Sequence, residues 1–142
     1  MYTFGERSKR NLQGIHPDLV KVMEAAIKTS PVDFTITDGV RTTAQQQALY
    51  AQGRTTAGKI VTNADGVKSK SNHQLKDDGY GHAVDLYSYY NGSVQLNDVA
   101  KLKQIAAHIK EVAAELKVDI NWGGETIRVG NGWDNPHFEL KQ

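Results

Sequence analysis

The sequence predicts an α+β fold in which two or three helices pack on a small, mainly antiparallel sheet. Two long segments carry apolar residues at helical spacing, and several short segments alternate apolar with polar residues as half-buried strands do. Asn91-Gly92 lies between two strand-like segments and is a strong two-residue hairpin signal, which favours antiparallel neighbours. The length of 142 residues suits a single compact domain, residues 1–142, with one hydrophobic core.

Composition limits the classes of function. Hydrophobic residues make up 39% of the chain and charged residues 23%, as in globular proteins. The formal net charge is only +1 and the basic residues are scattered, which argues against nucleic acid as the main partner. The chain has no cysteine, so disulfides, thiolate metal sites and cysteine nucleophiles are excluded. Any metal must therefore be held by histidine and carboxylate.

The first predicted helix begins at His16-Pro17-Asp18, where a proline and an acid stand in the first turn, and it ends at Ser30-Pro31. We expect His16 at the surface or as the helix cap, rather than as a metal ligand. Residues 33–37 then alternate apolar and polar side chains, which predicts a half-buried strand.

A second helix follows this strand. Thr43 and Gln46 have capping-box spacing, so the helix is expected to run to about Gln52 and to stop at Gly53. The polar segment from residue 54 to residue 70 shows little periodicity and is predicted to be a long loop. Loops of this length in compact domains are more often functional than idle.

The second half of the chain combines a hairpin with a long helix. A strand is expected at residues 83–87, followed by the hairpin around Asn91-Gly92. Asn97 can cap a third helix, whose apolar stripe runs to Leu116. Further short strands are expected over residues 118–122, 127–129 and 136–140.

Two stretches concentrate the groups that carry chemistry. Residues 71–86, SNHQLKDDGYGHAVDL, contain two histidines and an aspartate, and residues 133–140, WDNPHFEL, add one more aspartate and one more histidine. Two imidazoles and a carboxylate leave a zinc ion one open position for water, and hydrolysis needs a further carboxylate as base. The alternative is a histidine-rich surface loop and an unrelated C-terminal strand. The two stretches together favour zinc bound by His73, Asp85 and His137.

Asp134 is the candidate for the general base. The Asn135-Pro136 pair favours a turn, which can bring Asp134 beside the metal site and the attacking water. Trp133 and Phe138 either wall the site or belong to the core. Arg41, at a strand-to-helix junction, has the simpler interpretation of a solvated loop arginine when it is considered alone.

The ordered motifs resemble those of a known family. They are Ser71-x-His73, Gly81-x-Ala83-Val84-Asp85-Leu86 and Asp134-x-Pro136-His137-Phe138-Glu139, preceded by Asp38-Gly39-Val40-Arg41-Thr42. The set resembles the zinc peptidases that cut bacterial wall peptides. These are the VanY-like D-alanyl-D-alanine carboxypeptidases and the L-alanyl-D-glutamate endopeptidases of phage lysis enzymes. The resemblance runs from about residue 15 to residue 140.

The resemblance implies a role for each matching residue. It makes His73, Asp85 and His137 the zinc ligands and Asp134 the base. It makes Arg41 a cation that orients substrate or stabilises the transition state, in place of a solvated loop arginine. Ser71 becomes a residue that lines the site and can hydrogen-bond substrate.

One departure from the family pattern concerns the first ligand. In SxHxxGxAxD the histidine and aspartate are closer than the twelve positions that separate His73 from Asp85. The pattern is restored if residues 75–79, LKDDG, are an insertion. His82 is the competing ligand, but the Ser-x-His context favours His73. In a strand at residues 83–87, His82 also faces away from Asp85.

Together with the metal-binding residues, the resemblance implies a zinc metallopeptidase that hydrolyses peptidoglycan stem peptides, and the chain looks most like an L-alanyl-D-glutamate endopeptidase of endolysin type. The alternative within the class is a D,D-carboxypeptidase or dipeptidase with the same metal site. A non-catalytic zinc module is a third reading, against which the retained Asp134 argues, because a structural site needs no base. A metal-free binding domain is a fourth.

The sequence also gives expectations about location and partners. It shows neither a signal peptide nor a transmembrane window, so we expect synthesis in the cytoplasm without membrane insertion. The resemblance implies a holin that releases the enzyme to the periplasm and cell wall, for lysis or for protein release. The expected substrate partner is the stem peptide, and the expected state is a monomer.

Overall fold

A computed structural model of the chain describes residues 1–125 and 135–141. In chain order the elements of this part are α1 (Glu6–Leu12), α2 (Pro17–Thr29), β1 (Phe34–Asp38), α3 (Thr43–Ala51), β2 (Ala83–Tyr90), β3 (Ser93–Gln95), α4 (Val99–Leu116), β4 (Ile120–Trp122) and β5 (His137–Leu140). The α+β class predicted from the sequence is confirmed. The helix that the sequence did not reveal is α1, because its polar segment ERSKRNL has no apolar stripe.

The strands form one antiparallel sheet in the order β1-β2-β5-β4, with β3 paired to β2 as a hairpin. The turn of this hairpin is Asn91-Gly92, as predicted, and both residues have positive φ, 54° and 77°. Two consecutive positive φ angles are typical of a type I′ turn, whose twist matches the paired strands. The strand predicted at residues 127–129 lies outside the described residues.

One face of the sheet is covered by helices. The long helices α2 and α4 pack on each other, α4 also contacts β2 and β4, and α1 packs on β1. Phe138 of β5 and Val84 of β2 are fully buried in the core beneath them. Complete burial of a side chain of this kind stabilises the fold by roughly 1.5–3 kcal/mol. Phe138 is therefore a core residue, and it does not wall the predicted site.

The helix caps differ from the sequence prediction by one residue in two cases. The capping box of α3 is formed by Thr42 and Gln45 instead of Thr43 and Gln46. Both pairs have the same spacing in the run TTAQQQ, so the sequence does not select between them. Burial selects Thr42 and Gln45 as the capping pair, because the Gln46 side chain points into the protein and has no exposed surface. The cap of α4 is Asp98, whose side chain accepts the Lys101 amide, and not the preceding asparagine.

Between α3 and β2, the described chain forms no helix or strand apart from isolated bridges, as the predicted long loop requires. Two buried glutamine side chains fasten this loop. Gln46 donates to Ala64 O at 3.0 Å, and Gln74 donates to Gly66 O at 3.0 Å. No helix in the described part of the chain is long and apolar enough to span a membrane.

Candidate metal centre

The pairing of β2 with β5 brings two of the predicted ligands together. Asp85 and His137 are directly opposite each other in the antiparallel register, and side chains at such positions lie on the same face within contact distance. Across the other edge of β2, Asp38 at the end of β1 is paired with Asp85. The three polar residues therefore form a row across three neighbouring strands, while Val84 and Phe138 point into the core.

The third predicted ligand, His73, comes from the loop before β2 and is held at both its backbone and its ring. Its carbonyl accepts the Arg41 amide at 2.9 Å, and the hydroxyl of Ser71 accepts the His73 amide at 3.1 Å. Its ring Nδ1 lies 2.9 Å from the carbonyl oxygen of Gly39. A Cβ at position 39 would lie 1.8 Å from the carbonyl oxygen of Asn11, so only glycine fits there against α1.

The three ligand atoms have the spacing that zinc requires. His73 Nε2 and His137 Nδ1 are 3.3 Å apart, and each lies 3.4 Å from Asp85 Oδ1. Zinc bonds of about 2.0–2.1 Å in a tetrahedron place neighbouring ligand atoms roughly 3.3–3.4 Å apart. The three atoms therefore fit one face of a zinc tetrahedron.

Hydrogen bonds on the far side of each ring determine which nitrogen faces this centre. Gly39 O is only an acceptor, so His73 Nδ1 carries the proton and Nε2 offers a lone pair. His137 Nε2 lies 2.7 Å from Glu139 Oε1, which assigns its proton to Nε2 and its lone pair to Nδ1. Such outer partners are typical of metal-binding histidines.

The arrangement suits a cation. Two imidazole lone pairs and Asp85 Oδ1 converge, and this buried oxygen accepts no hydrogen bond of ordinary length from the described residues. At 3.4 Å, its distances to the two ring nitrogens are too long for good hydrogen bonds. Three acceptors facing one another repel unless a positive charge, either a proton on an imidazole or a metal ion, lies between them. His73, Asp85 and His137 therefore fit a zinc ion, as the sequence predicts, and zinc binding itself stays a prediction.

The surroundings of both carboxylates, Asp85 and Glu139, lower their pKa values and so favour the ionised form. Burial disfavours charge on Asp85, but the imidazoles of His73 and His137 outweigh it and hold the pKa of Asp85 far below its ordinary value. Burial also raises the pKa of Glu139, and the hydrogen bonds from His137 and Asn72 more than offset this, so that its pKa is lowered. Asn72 donates to Glu139 Oε2 at 2.8 Å.

Arg41 lies beside Asp85 in the candidate metal centre and is not a solvated loop arginine. Its Nη2 is 3.3 Å from Asp85 Oδ2, the oxygen that faces away from the two imidazoles. Its Nε donates to Asp38 Oδ2 at 2.7 Å, and its Nη1 donates to Gln46 Oε1 at 3.2 Å. Only 17% of its side chain is exposed. The guanidinium therefore holds Asp85 in place from behind.

The remaining predicted site residues have different outcomes. Ser71 lies beside His73, where its hydroxyl supports the turn that carries this ligand. Asp134 and Trp133 lie outside the described residues, so the assignment of Asp134 as base stays a prediction. His82 is not part of the centre of His73, Asp85 and His137, but belongs to a separate group with His16 and Asp78.

The predicted insertion forms a turn that closes on itself. The Lys76 amide donates to Tyr80 O at 2.9 Å and the Gly79 amide donates back to Lys76 O at 2.8 Å. Gly79 adopts a φ of +83°, which favours glycine. Because residues 76–80 form a closed loop, the extra residues lengthen the sequence between His73 and Asp85 without separating the two ligands.

Sequence reasoning missed three residues that support the centre. Strand periodicity could have predicted the position of Glu139. Residues two apart on a strand share a face, and Glu139 follows His137 at that spacing. Asn72 and Gln46 carry no comparable signal. Their roles depend on contacts with Glu139 and Arg41, which are distant in sequence.

Comparison with known proteins identifies the family. The model of the phage L-alanyl-D-glutamate peptidase family matches residues 1–140. The L-alanyl-D-glutamate peptidase of Escherichia phage T5 is 30% identical over 99% of this chain and 90% of its own length. The peptidoglycan L-alanyl-D-glutamate endopeptidase CwlK of Bacillus subtilis (strain 168) is 32% identical over 89% of this chain and 73% of its own.

A solved structure agrees with these matches. The crystal structure of the Serratia marcescens L-Ala D-Glu endopeptidase ChiX superposes with a TM-score of 0.70 at 29% identity, covering 98% of this chain and 90% of that one. The resemblance drawn from the sequence motifs is thereby confirmed, together with the prediction of a peptidase. The chain belongs to the phage L-alanyl-D-glutamate peptidase family.

Proposed function

We propose that this chain is a zinc-dependent endopeptidase that hydrolyses the L-alanyl-D-glutamate bond of peptidoglycan stem peptides. One observation carries the zinc part of the proposal. His73 Nε2, His137 Nδ1 and Asp85 Oδ1 converge with separations of 3.3–3.4 Å, with both histidine tautomers fixed by outer hydrogen bonds. Family membership and the names of three relatives support the choice of bond.

In this proposal His73, Asp85 and His137 bind the zinc ion. When bound, zinc lowers the pKa of a water to about 7 and polarises the carbonyl of the scissile bond. Asp134 accepts the proton of the attacking water and delivers it to the leaving nitrogen of D-glutamate as the C–N bond breaks. This role rests on the spacing of Asp134 from His137 and on the family motif.

Arg41 has a more restricted role than the sequence alone suggests. A guanidinium has five N–H donors, and the contacts to Asp38, Asp85 and Gln46 engage Nε, Nη2 and one hydrogen of Nη1. At most one N–H is left for substrate. We therefore assign Arg41 to the positioning of Asp85 and to a single hydrogen bond with substrate, not to a bidentate clamp. Ser71 lines the site next to His73.

The setting of the reaction follows from the family and its substrate. We propose that the enzyme acts as a monomer on the wall, and that a holin gives it access, as the resemblance to phage lysis enzymes implies. The same metal ligands also suit a D,D-carboxypeptidase. The three relatives named above favour the L,D-bond, since all are described as L-alanyl-D-glutamate peptidases.

Digestion of purified sacculi tests the proposal. The zinc-loaded protein should release stem peptides that begin with a free D-glutamate amine and leave L-alanine on the muramyl residue, as identified by mass spectrometry. Asp134→Ala is the matched control and should yield almost none. Release of terminal D-alanine instead would establish the D,D-specific alternative, and unchanged sacculi would favour a non-catalytic zinc module.

A further inference from the structure

A second group of metal-binding side chains lies apart from the proposed catalytic centre. His82 Nε2 is 2.7 Å from Asp78 Oδ2, and His16 Nε2 is 4.0 Å from the same oxygen. The two imidazole rings meet edge to face with centroids 5.1 Å apart. Their side chains are 14% and 26% exposed, and that of Asp78 is 39% exposed, so the group is open to solvent.

We propose that His16, Asp78 and His82 form a second binding site for a divalent transition-metal ion such as zinc. The proposal does not depend on the catalytic role of the first centre. Two imidazoles with one carboxylate suit zinc, copper, nickel or iron, whereas calcium and magnesium prefer sites built from oxygen alone. Solvent exposure leaves the other coordination positions to water.

The backbone holds the two histidines in fixed relation. The His16 amide donates to Gly81 O, and the Gly81 amide donates to Gly14 O, both at 2.9 Å. His82 follows Gly81 directly, and its amide donates to Asn72 O at 2.8 Å. These bonds attach the residue before α2 to the residue before β2, so the two rings converge without movement of the chain.

Asp78 is presented by the closed turn of residues 76–80. Its Oδ1 accepts the Tyr80 amide at 3.0 Å, so this oxygen orients the carboxylate while Oδ2 faces the two imidazoles. The distances from Oδ2 differ by less than about an ångström from the roughly 3.3–3.4 Å between ligand atoms of a tetrahedral zinc site. All three ligand atoms lie within 4.8 Å of one another, so rotation of the side chains can bring them around an ion.

Two hydrogen bonds must be exchanged when the ion binds. The proton between His82 Nε2 and Asp78 Oδ2, which are 2.7 Å apart, must leave so that both atoms can bind the ion. The Nδ1 of His16 accepts the Asp18 amide at 3.1 Å as the N-cap of α2, so the proton of the neutral ring is on Nε2. Metal binding through Nε2 moves this proton to Nδ1 and breaks the cap. The second site is therefore expected to bind zinc more weakly than the buried centre, whose tautomers already suit the ion.

The second site takes two of its three residues from the segment that joins His73 to Asp85, so an ion bound there would affect that segment. Asp78 belongs to the insertion between His73 and Asp85, two of the proposed catalytic ligands. An ion at the second site links this turn to the starts of α2 and β2 and restrains the segment between the two ligands. The insertion that departs from the family pattern thus supplies the carboxylate of the second site.

Zinc stoichiometry tests this inference without reference to activity. The full chain is dialysed against a series of buffered zinc concentrations, and bound zinc is measured by elemental analysis. We expect two equivalents at saturation, one tight and one weaker. Asp78→Asn keeps the acceptor for the Tyr80 amide, and His16→Asn keeps a good helix cap. Each should raise the Kd of the weaker equivalent by at least about tenfold and leave the tight one unchanged.

Two controls make the result specific. Asp77→Asn removes the same charge from the neighbouring position of the turn and should keep both equivalents. His73→Ala should lose the tight equivalent and keep the weaker one. The inference is overturned if the unmodified chain saturates at one zinc, or if Asp78→Asn and His16→Asn both bind zinc like the unmodified chain. Because the two zinc equivalents are counted separately, a negative result for the second site does not contradict the proposed zinc site of His73, Asp85 and His137.

Discussion

Glu139 Oε1 accepts a hydrogen bond from His137 Nε2 at 2.7 Å, and this contact determines which ring nitrogen faces the metal centre. Glu139 is 6% exposed and also accepts a hydrogen bond from Asn72. It is therefore an ionised carboxylate, buried behind a proposed ligand and held in place from its other side. Partners of this kind raise the basicity of a metal-binding imidazole and fix its orientation.

Replacement of this carboxylate should weaken zinc binding without loss of the fold. For Glu139→Gln we expect the zinc Kd to rise about 10–100-fold, the usual effect of removing an outer partner of a ligand. Competition with a chromophoric chelator measures this. Glu125→Gln is the matched control, because Glu125 forms an exposed ion pair with Lys110. Equal zinc affinity in Glu139→Gln and Glu125→Gln would contradict the role of Glu139.

The same residue should show a defined pH dependence. The pKa of Glu139 is lowered from 4.5 because the hydrogen bonds from His137 and Asn72 outweigh the effect of burial. Stability from a carboxylate of this kind is fully present above the unfolded-state pKa and is lost as the pH falls through the folded-state pKa. We expect the part of the unfolding free energy that the Glu139 carboxylate contributes in the metal-free protein, taken as the difference from Glu139→Gln, to shrink as the pH falls below about 4.5. Chemical denaturation followed by circular dichroism measures it, and a difference that grows in acid would exclude the assignment.

Asp134→Ala should separate zinc binding from hydrolysis. If Asp134 is the general base, its loss should lower the rate of sacculus digestion by about 10²–10⁴-fold, with zinc content and melting temperature unchanged. Asp119→Ala, which removes an exposed carboxylate, serves as the control. Near-full turnover of Asp134→Ala would mean that another group takes the proton.

Arg41→Lys tests whether the guanidinium positions Asp85. A lysine keeps the charge but cannot contact Asp38, Asp85 and Gln46 at the same time. We expect kcat to fall roughly tenfold or more, with one tight zinc still bound, since the three ligands remain. Because at most one N–H of Arg41 is left for substrate, KM should change less than kcat. Unchanged kcat with a raised KM would show that Arg41 acts mainly in substrate binding.

The sequence predicted the parts of the structure that depend on local pattern. The apolar stripes of α2 and α4, the Asn91-Gly92 hairpin and the orientation of His82 away from Asp85 all follow from periodicity and turn chemistry. The position of His73 did not follow, because a loop residue has no periodicity. Its assignment rested on the Ser71-x-His73 motif, and its support by Gly39 depends on the close approach of α1.

Contacts between segments that are distant in sequence could not be predicted from local patterns. The choice of Thr42 over Thr43 as the cap of α3 depends on the burial of Gln46, which no local pattern reveals. His16 was expected at the surface or as a helix cap, and it is the cap of α2. Its proximity to Asp78 and His82 arises only because Ile15 forms a bridge with Gly81, some sixty-six positions further along the chain.

The last prediction concerns which histidine of residues 71–86 binds the proposed catalytic zinc. His73 is 1% exposed, and its Nε2 lies 3.3 Å from the Nδ1 of His137 and 3.4 Å from Asp85 Oδ1. His82 instead contacts Asp78, in the group that includes His16. We therefore expect His73→Ala to lose the tight zinc and all hydrolysis of sacculi. His82→Ala should keep the tight zinc and remain active, since Asp85 and both remaining ligands are unchanged. Elemental analysis and sacculus digestion of the two variants, prepared in parallel, give the answer. Loss of the tight zinc in His82→Ala, with retention in His73→Ala, would transfer the ligand role to His82 and contradict the geometry of the centre.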